Sequence, residues 1–398
     1  MDPVRIERFV AGGEGLGRAD DGRVVFVRGG IPGDLATVDV IDERRDWMRA
    51  VATEILDPSP DRRAASCPSR CAGCGGCDWA EVTTESVLAH KVAIVSEALR
   101  RTARIEFTPT AGGTVPPHGY RTTIRVVGAA DGRPAFRRAA GHDTVDAGPC
   151  EVAHPVLVEL LGGLRISAGL EVQLRCSDST GEITARWDRR AGRVEGLGDA
   201  VGVGADASIV ETVAGHRFRV SAASFFQSGP AAAGLLVETV RRSVPELATA
   251  GRVVDAYGGV GLFAATCVPT AAAVTVVETS RAAVADAGVN LAGRTGVVEV
   301  IRAEVGAWRD RDGAAPVDVV IADPARSGLG RPGVGAVTRL RTPVLALVSC
   351  DPVSMARDAG LLSASGFRLD AVEVLDLFPG THHVETVSVW RAPARLAR

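Results

Sequence analysis

Residues 252–261 read Arg-Val-Val-Asp-Ala-Tyr-Gly-Gly-Val-Gly, a short run with two valines that leads directly into a turn with three glycines. Glycine lets the backbone turn tightly and lets a ligand approach without a Cβ in the way. A strand followed by such a turn is typical of nucleotide-binding α/β domains. The nucleotide stays open at this point, because Gly259-Val-Gly261-Leu-Phe-Ala264 also matches the pattern of nicotinamide- and flavin-binding proteins.

Strands and helices alternate on both sides of this turn, from about residue 228 onward. The predicted strands are Arg252–Asp255, Ala273–Glu278, Val297–Arg302, Val317–Ala322 and Val344–Ser349. The predicted helices are Pro230–Ser243, Leu262–Cys267, Arg281–Ala292 and Val353–Ser365. Repeated β-α units predict a doubly wound, Rossmann-like parallel sheet. Two final strands, Arg368–Leu377 and Glu385–Arg391, have only a loop between them, which predicts an antiparallel last strand.

The rest of the chain is rich in predicted strands and has few helices. Short runs of β-branched residues separated by glycine turns predict a small closed barrel, with strands at Val4–Phe9, Val24–Val27, Leu35–Ile41 and Met48–Ile55. A helix is predicted from about Thr83 to Arg101. A second β-rich region follows, with strands at Thr122–Val127, Glu171–Cys176, Glu182–Trp187 and His216–Val220. We therefore expect an α/β protein of three domains, at residues 1–60, 61–226 and 227–398.

The composition indicates a globular protein of 398 residues, with 46% hydrophobic and 23% charged residues. No run approaches the ~18 apolar residues of a membrane span, and the first twenty residues lack the apolar segment of a signal peptide. We therefore expect a cytoplasmic monomer without a membrane partner. Arginine greatly outnumbers lysine, and the single lysine, Lys91, is interpreted as an effect of genomic base composition.

The charge distribution does not indicate a general nucleic-acid binder. The net charge is −3, and the first 63 residues hold ten arginines against thirteen acidic residues. Any RNA-binding surface is therefore expected to be local. Arginines are denser in the central region, at Arg121, Arg125, Arg133, Arg137, Arg138, Arg186, Arg189, Arg190 and Arg193.

Three of the eight cysteines have the spacing Cys67-x6-Cys74-Gly-Gly-Cys77. In a reducing compartment, cysteines in such a pattern are expected to bind metal or to stay as thiols rather than to form disulfides. The two glycines let backbone amides point at the sulfurs of a cluster. The spacing predicts a metal site that needs a fourth ligand, and both zinc and an iron–sulfur cluster accept four cysteines. Cys71 is an extra thiol that could replace Cys67.

Reactive groups follow the predicted strands at their carboxyl ends, where ligands bind in open α/β sheets. Asp323-Pro324-Ala325-Arg326 follows the fourth strand, and Ser349-Cys350-Asp351-Pro352 closes and follows the fifth. The loop from Asp376 to Glu385 joins the last two strands. Glu278 ends the second strand, where it can accept hydrogen bonds from ribose hydroxyls. A hydride-transfer enzyme needs no cysteine at this edge, whereas an enzyme that adds a nucleophile to a base does.

At these positions the sequence resembles the RNA 5-methyluridine methyltransferase family. The motifs occur in the same order as in the family, and the resemblance covers nearly the whole chain. The motifs are Phe226-Gln227, Asp255-x-Tyr257-Gly-Gly-x-Gly261, Val277-Glu278, Asp323-Pro324-x-Arg326-x-Gly328, Ser349-Cys350-Asp-Pro352 and Asp376-x-Phe378-Pro379-x-Thr381-x-His383-Val384-Glu385. The family more often has proline where Ala325 stands and asparagine where Asp351 stands. The charge of Asp351 beside Cys350 is expected to raise the pKa of the thiol.

The resemblance implies transfer of a methyl group from S-adenosylmethionine to C5 of uracil, with Cys350 as the nucleophile and Glu385 as the base. C5 of uracil is a poor nucleophile, and addition of a thiolate at C6 raises its electron density. A base then removes the C5 proton so that the cysteine can leave. Only ~3% of a free thiol is ionised at neutral pH. Arg326 is a candidate for stabilising the thiolate.

The same resemblance indicates which residues hold the cofactors. The residues expected to contact S-adenosylmethionine are Gln227, Tyr257, Glu278, Asp255, Gly259 and Gly261. Asp323 is expected to contact either this cofactor or the edge of the uracil. In the cysteine cluster, the resemblance implies Cys150 as the fourth ligand and a [4Fe-4S] cluster as the bound group, with zinc as the alternative.

The resemblance identifies the amino-terminal barrel as a TRAM domain, an RNA-binding barrel. Together with the iron–sulfur spacing, this favours 23S ribosomal RNA as the substrate, and transfer RNA is the alternative. The reacting uridine must leave its base stack to reach Cys350. A non-catalytic RNA-binding protein is a hypothesis of a different class, and the intact Cys350 and Glu385 argue against it. A dehydrogenase is a third hypothesis, which binding of a nicotinamide cofactor would support.

Overall fold

The amino-terminal strands close into a barrel, as their spacing predicted. The structure is a computed structural model that describes residues 2–139, 141, 143–148, 150–310 and 316–393; Met1 and residues 394–398, which the predicted domain limits include, lie outside them. The barrel strands are β1 (Val4–Phe9), β2 (Gly15–Arg18), β3 (Val24–Arg28), β4 (Leu35–Glu43) and β5 (Trp47–Asp57). They pair in the closed order β1-β2-β3-β5-β4, which leaves the barrel without an edge strand.

The interior of the barrel is filled by every second residue of its strands. In β1, Val4 and Ile6 are buried while Arg5 and Glu7 are exposed. Val25 of β3 belongs to the same core. This period of two is what a barrel wall requires, because successive side chains point to opposite faces of a strand.

Two helices connect the barrel to the rest of the chain. They are α1 (Pro68–Cys71) and α2 (Thr84–Ala98), and α2 continues through a π-helical turn over Leu99–Ala103. Trp79, between the helices, stacks on Phe9 of the barrel with ring centroids 4.1 Å apart. The barrel therefore packs directly against the segment that carries the clustered cysteines.

The central region is rich in strands, as predicted, and contains one helix that was not predicted among its described residues. Its elements are β6 (Thr110–Thr114), β7 (Thr123–Gly128), β8 (Pro134–Arg137), β9 (Thr144–Asp146), α3 (Pro155–Gly163), β10 (Arg165–Ile166), β11 (Glu171–Cys176), β12 (Ile183–Arg186), β13 (Val194–Glu195), β14 (Val201–Val203), β15 (Ser208–Val213) and β16 (His216–Ser221). One sheet runs in the order β14-β12-β11-β7-β8-β9, and β15 pairs with β16 in a separate hairpin.

The carboxyl-terminal region alternates strands and helices. Its elements are α4 (Pro230–Ser243), a 3₁₀ turn at Pro245–Thr249, β17 (Arg252–Ala256), α5 (Leu262–Thr266), β18 (Ala273–Glu278), α6 (Arg281–Asn290), β19 (Val298–Arg302), β20 (Val319–Ala322), α7 (Gly330–Arg339), β21 (Val344–Ser349), α8 (Pro352–Ala364), β22 (Arg368–Asp376) and β23 (Glu385–Arg391). None of the described helices is long and apolar enough to cross a membrane.

The large sheet has the predicted doubly wound topology. Its strand order is β19-β18-β17-β20-β21-β23-β22-β6. β17 pairs in parallel with both β18 and β20, and β21 pairs in parallel with β20. β23 is antiparallel to both β21 and β22, which confirms the predicted antiparallel last strand.

Two elements of this region differ from the prediction. β6 lies 116 positions before α4 in the chain, yet it pairs in parallel with β22 and extends the large sheet. Helix α7 contains Gly330, Gly333 and Gly335 together with Pro332, a composition that disfavours helix in isolation. Its Val334 and Val337 are buried against the sheet, so tertiary packing stabilises a helix that the local sequence does not indicate.

Candidate active site and cysteine-lined cavity

Cys350 and Glu385 lie opposite each other at one edge of the large sheet. Ser349, the last residue of β21, pairs with Thr386 of β23. Because these strands are antiparallel, the residue after Ser349 comes level with the residue before Thr386. β21 is buried along its whole length and Pro352 begins α8, so Cys350 sits where the strand leaves the core. The thiol and the carboxyl group therefore meet at the carboxyl end of β21.

Burial and nearby acidic groups raise the pKa of the Cys350 thiol. Burial, together with the nearby Glu385 and Asp323, raises the pKa of Cys350 to about 12, and the positive charge of Arg326 opposes them. Burial also raises the pKa of Asp323 to about 7. Glu385 is only 4% exposed, and burial raises the pKa of its carboxyl group well above the usual range, with Asp323 adding to this and Lys91 opposing it. A positive charge brought into this site would lower all three pKa values.

Asp351 has a different role from the one its position suggested. Its Oδ1 accepts a hydrogen bond from the backbone N–H of Ser354 at 2.7 Å and caps helix α8. The charged groups that raise the pKa of Cys350 are Glu385 and Asp323. The carboxylate of Asp351 is thus directed to the helix terminus, and its expected effect on the pKa of Cys350 stays a prediction.

Arg326 contacts the loop that carries Glu385. Its guanidinium donates to Nδ1 of His383 at 2.8 Å. Burial lowers the pKa of His383 to about 4, and Arg326 adds to this effect, so the imidazole is neutral at physiological pH. The segment after Arg326 is held by Asp358, which accepts hydrogen bonds from the N–H groups of Leu329 at 2.6 Å and Gly330 at 3.0 Å. Arg326 is thus fixed near the thiol whose proton it helps to release.

The glycine turn after β17 is organised by two acidic residues. Oε2 of Glu278 accepts a hydrogen bond from the N–H of Gly259 at 3.1 Å. Asp255 is buried, and its Oδ2 accepts from the N–H of Ala264 at 2.9 Å. Gly261 has a φ of +87° where the chain enters α5, a conformation that glycine adopts without strain. The turn therefore fits closely around Asp255 and Glu278.

Gln227 and Tyr257 connect this turn to neighbouring elements. Nε2 of Gln227 donates to Oδ2 of Asp323 at 3.3 Å, which ties the segment before α4 to the end of β20. The hydroxyl of Tyr257 lies against Gly333 of α7, and burial raises the pKa of this phenol to about 12. Asp323 also acts electrostatically on Asp255. The predicted cofactor residues and the Cys350–Glu385 pair thus form one continuous site.

The site suits a cofactor that carries positive charge. Oδ1 of Asp255 is buried and has no hydrogen-bond partner among the described residues, and a buried carboxylate oxygen of this kind needs a donor. A Cβ built on Gly259 would have no atom within 4 Å, so the turn is open to a ligand there. The sulfonium and amino groups of S-adenosylmethionine would complement Asp255 and Asp323, and Glu278 at the end of β18 is placed to accept hydrogen bonds from ribose hydroxyls.

The predicted metal ligands line one cavity of about 590 Å³. Cys67, Cys74, Cys77 and Cys150 all line it. Burial raises the pKa of Cys77 to about 12, a shift that Arg121 opposes and the other three cysteines favour. The N–H of Gly76 donates to Sγ of Cys74 at 3.4 Å. Within the described parts of the chain, no three side chains of the kinds that bind metals converge on a point suited to a single ion. The four thiols therefore line the same cavity but are not arranged around a single ion.

Cys71 and the arginines complete the surroundings of the cysteine cavity. Cys71 is exposed, and its thiol is directed to the carbonyl of Ala65 at 3.7 Å. Arg121 acts electrostatically on Cys77 and Cys150. Further arginines line the same cavity, at Arg63, Arg70, Arg125, Arg137 and Arg138. Of the central arginines singled out in the sequence, only some line this cavity, namely Arg121, Arg125, Arg137 and Arg138.

The cysteine segment touches both the barrel and the loop before Glu385. Asp78 accepts hydrogen bonds from His382, at 3.2 Å from its backbone N–H and 2.5 Å from its ring. The N–H of Trp79 donates to the carbonyl of Gly380 at 3.0 Å, and its indole N–H donates to Gly13 of the barrel at 2.9 Å. Sequence reasoning missed Asp78 and Trp79, although both directly follow Cys77.

Comparison with known proteins gives matches along the whole chain. The TRAM domain family matches residues 3–52, which form the barrel. The chain is 32% identical to an uncharacterized RNA methyltransferase of Streptomyces avermitilis over 433 residues, covering 98% of each chain. It is 31% identical to an uncharacterized RNA methyltransferase of Corynebacterium glutamicum over 414 residues, covering 97% of this chain and 96% of the relative.

A solved structure shares the fold over nearly the full length. It is the tRNA (uracil-54, C5)-methyltransferase of Pyrococcus abyssi in complex with S-adenosyl-L-homocysteine, with a TM-score of 0.73 and 22% sequence identity. The match covers 97% of this chain and 99% of that one. On these full-length similarities and its TRAM barrel, the chain belongs to the family of RNA methyltransferases that its motifs resemble.

Proposed function

We propose that the protein is an S-adenosylmethionine-dependent RNA methyltransferase that forms 5-methyluridine through a covalent bond between Cys350 and C6 of the uracil. The observation that supports this most directly is the register of β21 and β23, which sets Cys350 level with Glu385. A nucleophilic thiol and a buried carboxyl group at one sheet edge are the two groups that this reaction needs.

In the proposed reaction the thiolate of Cys350 adds to C6, and the electrons of the C5–C6 double bond move toward the O4 carbonyl. S-adenosylmethionine, when bound, would supply the methyl group to the electron-rich C5. Glu385 then takes the proton from C5. The electrons of that C–H bond restore the C5–C6 double bond and expel the Cys350 thiolate. Glu385 then releases the proton to solvent, which returns the enzyme to its starting state.

The raised pKa of Cys350 requires activation of the thiol before it can react. Arg326 lowers this pKa. A bound sulfonium cofactor adds a second positive charge near Asp323 and Glu278, which favours the charged form of the thiol. We propose that the nucleophile becomes reactive only after the cofactor has bound, with Gln227, Tyr257, Glu278, Asp255, Gly259 and Gly261 holding it and Asp323 between cofactor and uracil.

We also propose that Cys67, Cys74, Cys77 and Cys150 hold a [4Fe-4S] cluster rather than zinc. Thiolates that bind one zinc ion lie about 2.3 Å from a shared centre. The four thiols of this chain instead line a common cavity without converging on a point suited to one ion. A bound group of several atoms suits this arrangement better, and exposed Cys71 is then outside the ligand set.

We propose 23S ribosomal RNA as the substrate, with the enzyme acting as a monomer in the cytoplasm. This choice rests on the resemblance of the TRAM barrel and the cysteine spacing to members of the family that act on ribosomal RNA. Transfer RNA is the second candidate, since the Pyrococcus abyssi enzyme of the same fold acts on a transfer RNA uridine.

The proposal is tested by mapping 5-methyluridine in total RNA from a strain that lacks the gene. Loss of one 5-methyluridine from ribosomal RNA, restored by the wild-type gene and not by a Cys350→Ala gene, is the expected result. Loss of 5-methyluridine from transfer RNA instead would show that transfer RNA is the substrate and would leave the proposed reaction unchanged. An unchanged 5-methyluridine map, together with no methyl transfer by the purified enzyme to RNA from that strain, would overturn the proposed function.

A further inference from the structure

Lys91 is the chain's only lysine, and it is completely buried. It lies on helix α2, and its ammonium donates to Oδ1 of Asp376 at 2.6 Å and to the carbonyl of Phe378 at 3.4 Å. The same Oδ1 accepts the N–H of Phe378 at 3.2 Å. One ion pair thus joins α2 to the beginning of the loop between β22 and β23.

The position suits an ammonium and does not suit a guanidinium. An ammonium has three donors on one compact atom, whereas a guanidinium has five donors in a planar fork. Two acceptors, Asp376 and the Phe378 carbonyl, meet Lys91 in a fully buried space. Arginine would leave buried donors without partners, which is costly. All the other long cationic side chains of the protein are arginines. The hydrogen-bonding requirement at this buried position is therefore a physical reason for one lysine, in addition to the base composition of the genome.

The ion pair lies beside the proposed base. Leu375 of β22 pairs with Glu385 of β23, so Asp376, the next residue along β22, lies beside Glu385 in the sheet, and both carboxyl groups are buried. The charged groups that act on Glu385 are Asp323 from the end of β20 and Lys91 from α2, and Glu385 in turn acts on Cys350. Burial lowers the pKa of Lys91, and the negative charges of Asp376, Asp78 and Glu385 oppose this effect and favour the ammonium form. Among these groups on the described residues, Lys91 is the one that brings positive charge to Glu385.

We propose that Lys91 is a positioning residue for proton abstraction: it fixes the loop before Glu385 through Asp376 and Phe378, and it supplies the positive charge that Glu385 needs to act as a base. The proposal rests on the proposed function. It adds a residue more than 280 positions away in the sequence from the loop that it holds.

The predicted effect has a definite sign. Glu385 accepts a proton only when it is ionised, so the rate of proton removal rises with pH up to the pKa of Glu385. Lys91 lowers this pKa. Its removal therefore moves the acidic limb of the rate profile to higher pH, and part of the lost activity returns as the pH is raised. A change that only loosened the fold would lower the rate by a similar factor at every pH.

The test is single-turnover release of tritium from C5 of uridine in RNA, measured against pH for the wild type and for Lys91→Met. We expect the acidic limb to move upward by about one pH unit, because an opposite charge nearby shifts a pKa by 1–3 units. The double variant Lys91→Met/Asp376→Asn avoids an unpaired buried carboxylate and is expected to show the same displacement if the single variant folds poorly. An unmoved limb in the folded double variant would overturn the proposal.

A matched control breaks a buried ion pair far from the site. Arg62 pairs with the buried Asp34 at 2.6 Å beside the barrel. Arg62→Met should lower the melting temperature and leave the acidic limb at its wild-type pH. If it moved the limb as Lys91→Met does, general destabilisation would explain both results and the proposal would fail.

A second readout does not depend on activity. Because the chain has one lysine, lysine labelled with ¹⁵N at Nζ gives a single side-chain resonance in the intact protein. We expect Glu385→Gln to move this resonance and Arg62→Met to leave it in place. An unchanged chemical shift of this resonance in Glu385→Gln would contradict the proposal. Wild-type enzyme that released no tritium from any RNA would instead refute the proposed function, so the two failures are distinguishable.

Discussion

Cys350 has neighbours that both oppose and assist loss of its proton. Glu385 and Asp323 raise its pKa and Arg326 lowers it. The carboxyl groups also have raised pKa values, so each of them is less often charged than an exposed carboxyl group would be. A thiol in this environment is protected from indiscriminate reaction until positive charge enters the site. At the scale of single residues, this environment supports the proposal that the reactivity of Cys350 depends on cofactor binding.

Replacement of Cys350 by alanine is expected to abolish methylation and to leave cofactor binding within about twofold of the wild type. The variant loses the atom that forms the covalent bond, so turnover should fall by roughly 10⁴-fold or more. Transfer of labelled methyl groups to RNA and calorimetric titration with S-adenosylmethionine measure the two properties. Cys176→Ala, which alters a buried thiol of β11, is the matched control and should stay active. Retained turnover in Cys350→Ala would refute the nucleophile.

Replacement of Glu385 by glutamine is expected to trap a covalent complex between enzyme and RNA. Glutamine keeps the shape of the side chain and cannot take the C5 proton, so removal of the general base should slow release by roughly 10²–10⁴-fold. End-labelled RNA that migrates with the protein on a denaturing gel measures the complex. The double variant Cys350→Ala/Glu385→Gln should show none, and free RNA alone with Glu385→Gln would argue for a different base.

The turn between β17 and α5 shows how one element shapes the cofactor site. Gly258 is enclosed, since a Cβ there would lie 2.7 Å from Cγ1 of Val276 and 3.0 Å from Cγ of Asp255. Gly259 has a φ of +55° and faces open space. The two neighbouring glycines thus serve different purposes: one permits close packing of strand and turn, and the other leaves room for a ligand.

Alanine substitutions at these two positions should separate stability from binding. Gly258→Ala forces Val276 and Asp255 apart and is expected to cost about 1–3 kcal/mol of stability. Gly259→Ala keeps the packing, with a conformational cost of about 1–2 kcal/mol, and its methyl group enters the space proposed for the cofactor. Thermal melting and titration with S-adenosylmethionine measure the two effects. Equal cofactor affinity of Gly259→Ala and the wild type would place the cofactor elsewhere.

On the scale of the whole molecule, three parts meet at the cysteine segment. Trp79 joins this segment to the barrel through Gly13 and to the loop before Glu385 through Gly380. Asp78 binds His382 of the same loop. The cysteine segment therefore contacts both the barrel and the loop that leads to Glu385, the proposed base.

Anaerobically purified protein is expected to be brown and to contain iron and sulfide. Cys77→Ser should lose the colour, whereas Cys71→Ser, at an exposed thiol outside the cavity, should keep it. Because Asp78 and Trp79 contact the loop at residues 380–382, loss of the cluster should also speed hydrogen exchange in that loop. Metal analysis and hydrogen-exchange mass spectrometry measure both effects. Stoichiometric zinc in place of iron would contradict the assignment.

Local sequence patterns were sufficient to predict the repeating β-α units, the barrel and the membership of the family. Side-chain periods of two and 3.6 residues are local, and the ordered motifs at the strand ends are local as well. The antiparallel last strand also followed from a short connection, because a parallel pair needs a longer crossover. These features depend on residues close together in the chain, and the structure has them where the patterns indicated.

Contacts between residues far apart in the chain depend on the three-dimensional fold. β6 joins the large sheet from far upstream, α7 forms despite three glycines because its valines pack on the sheet, and Asp351 turns to its helix terminus. The composition alone gave Lys91 no structural role, whereas the fold places its ammonium in contact with Asp376. Burial and charge pairing between remote segments leave no periodic signature in a sequence, because they depend on where the chain returns in space and not on neighbouring residues.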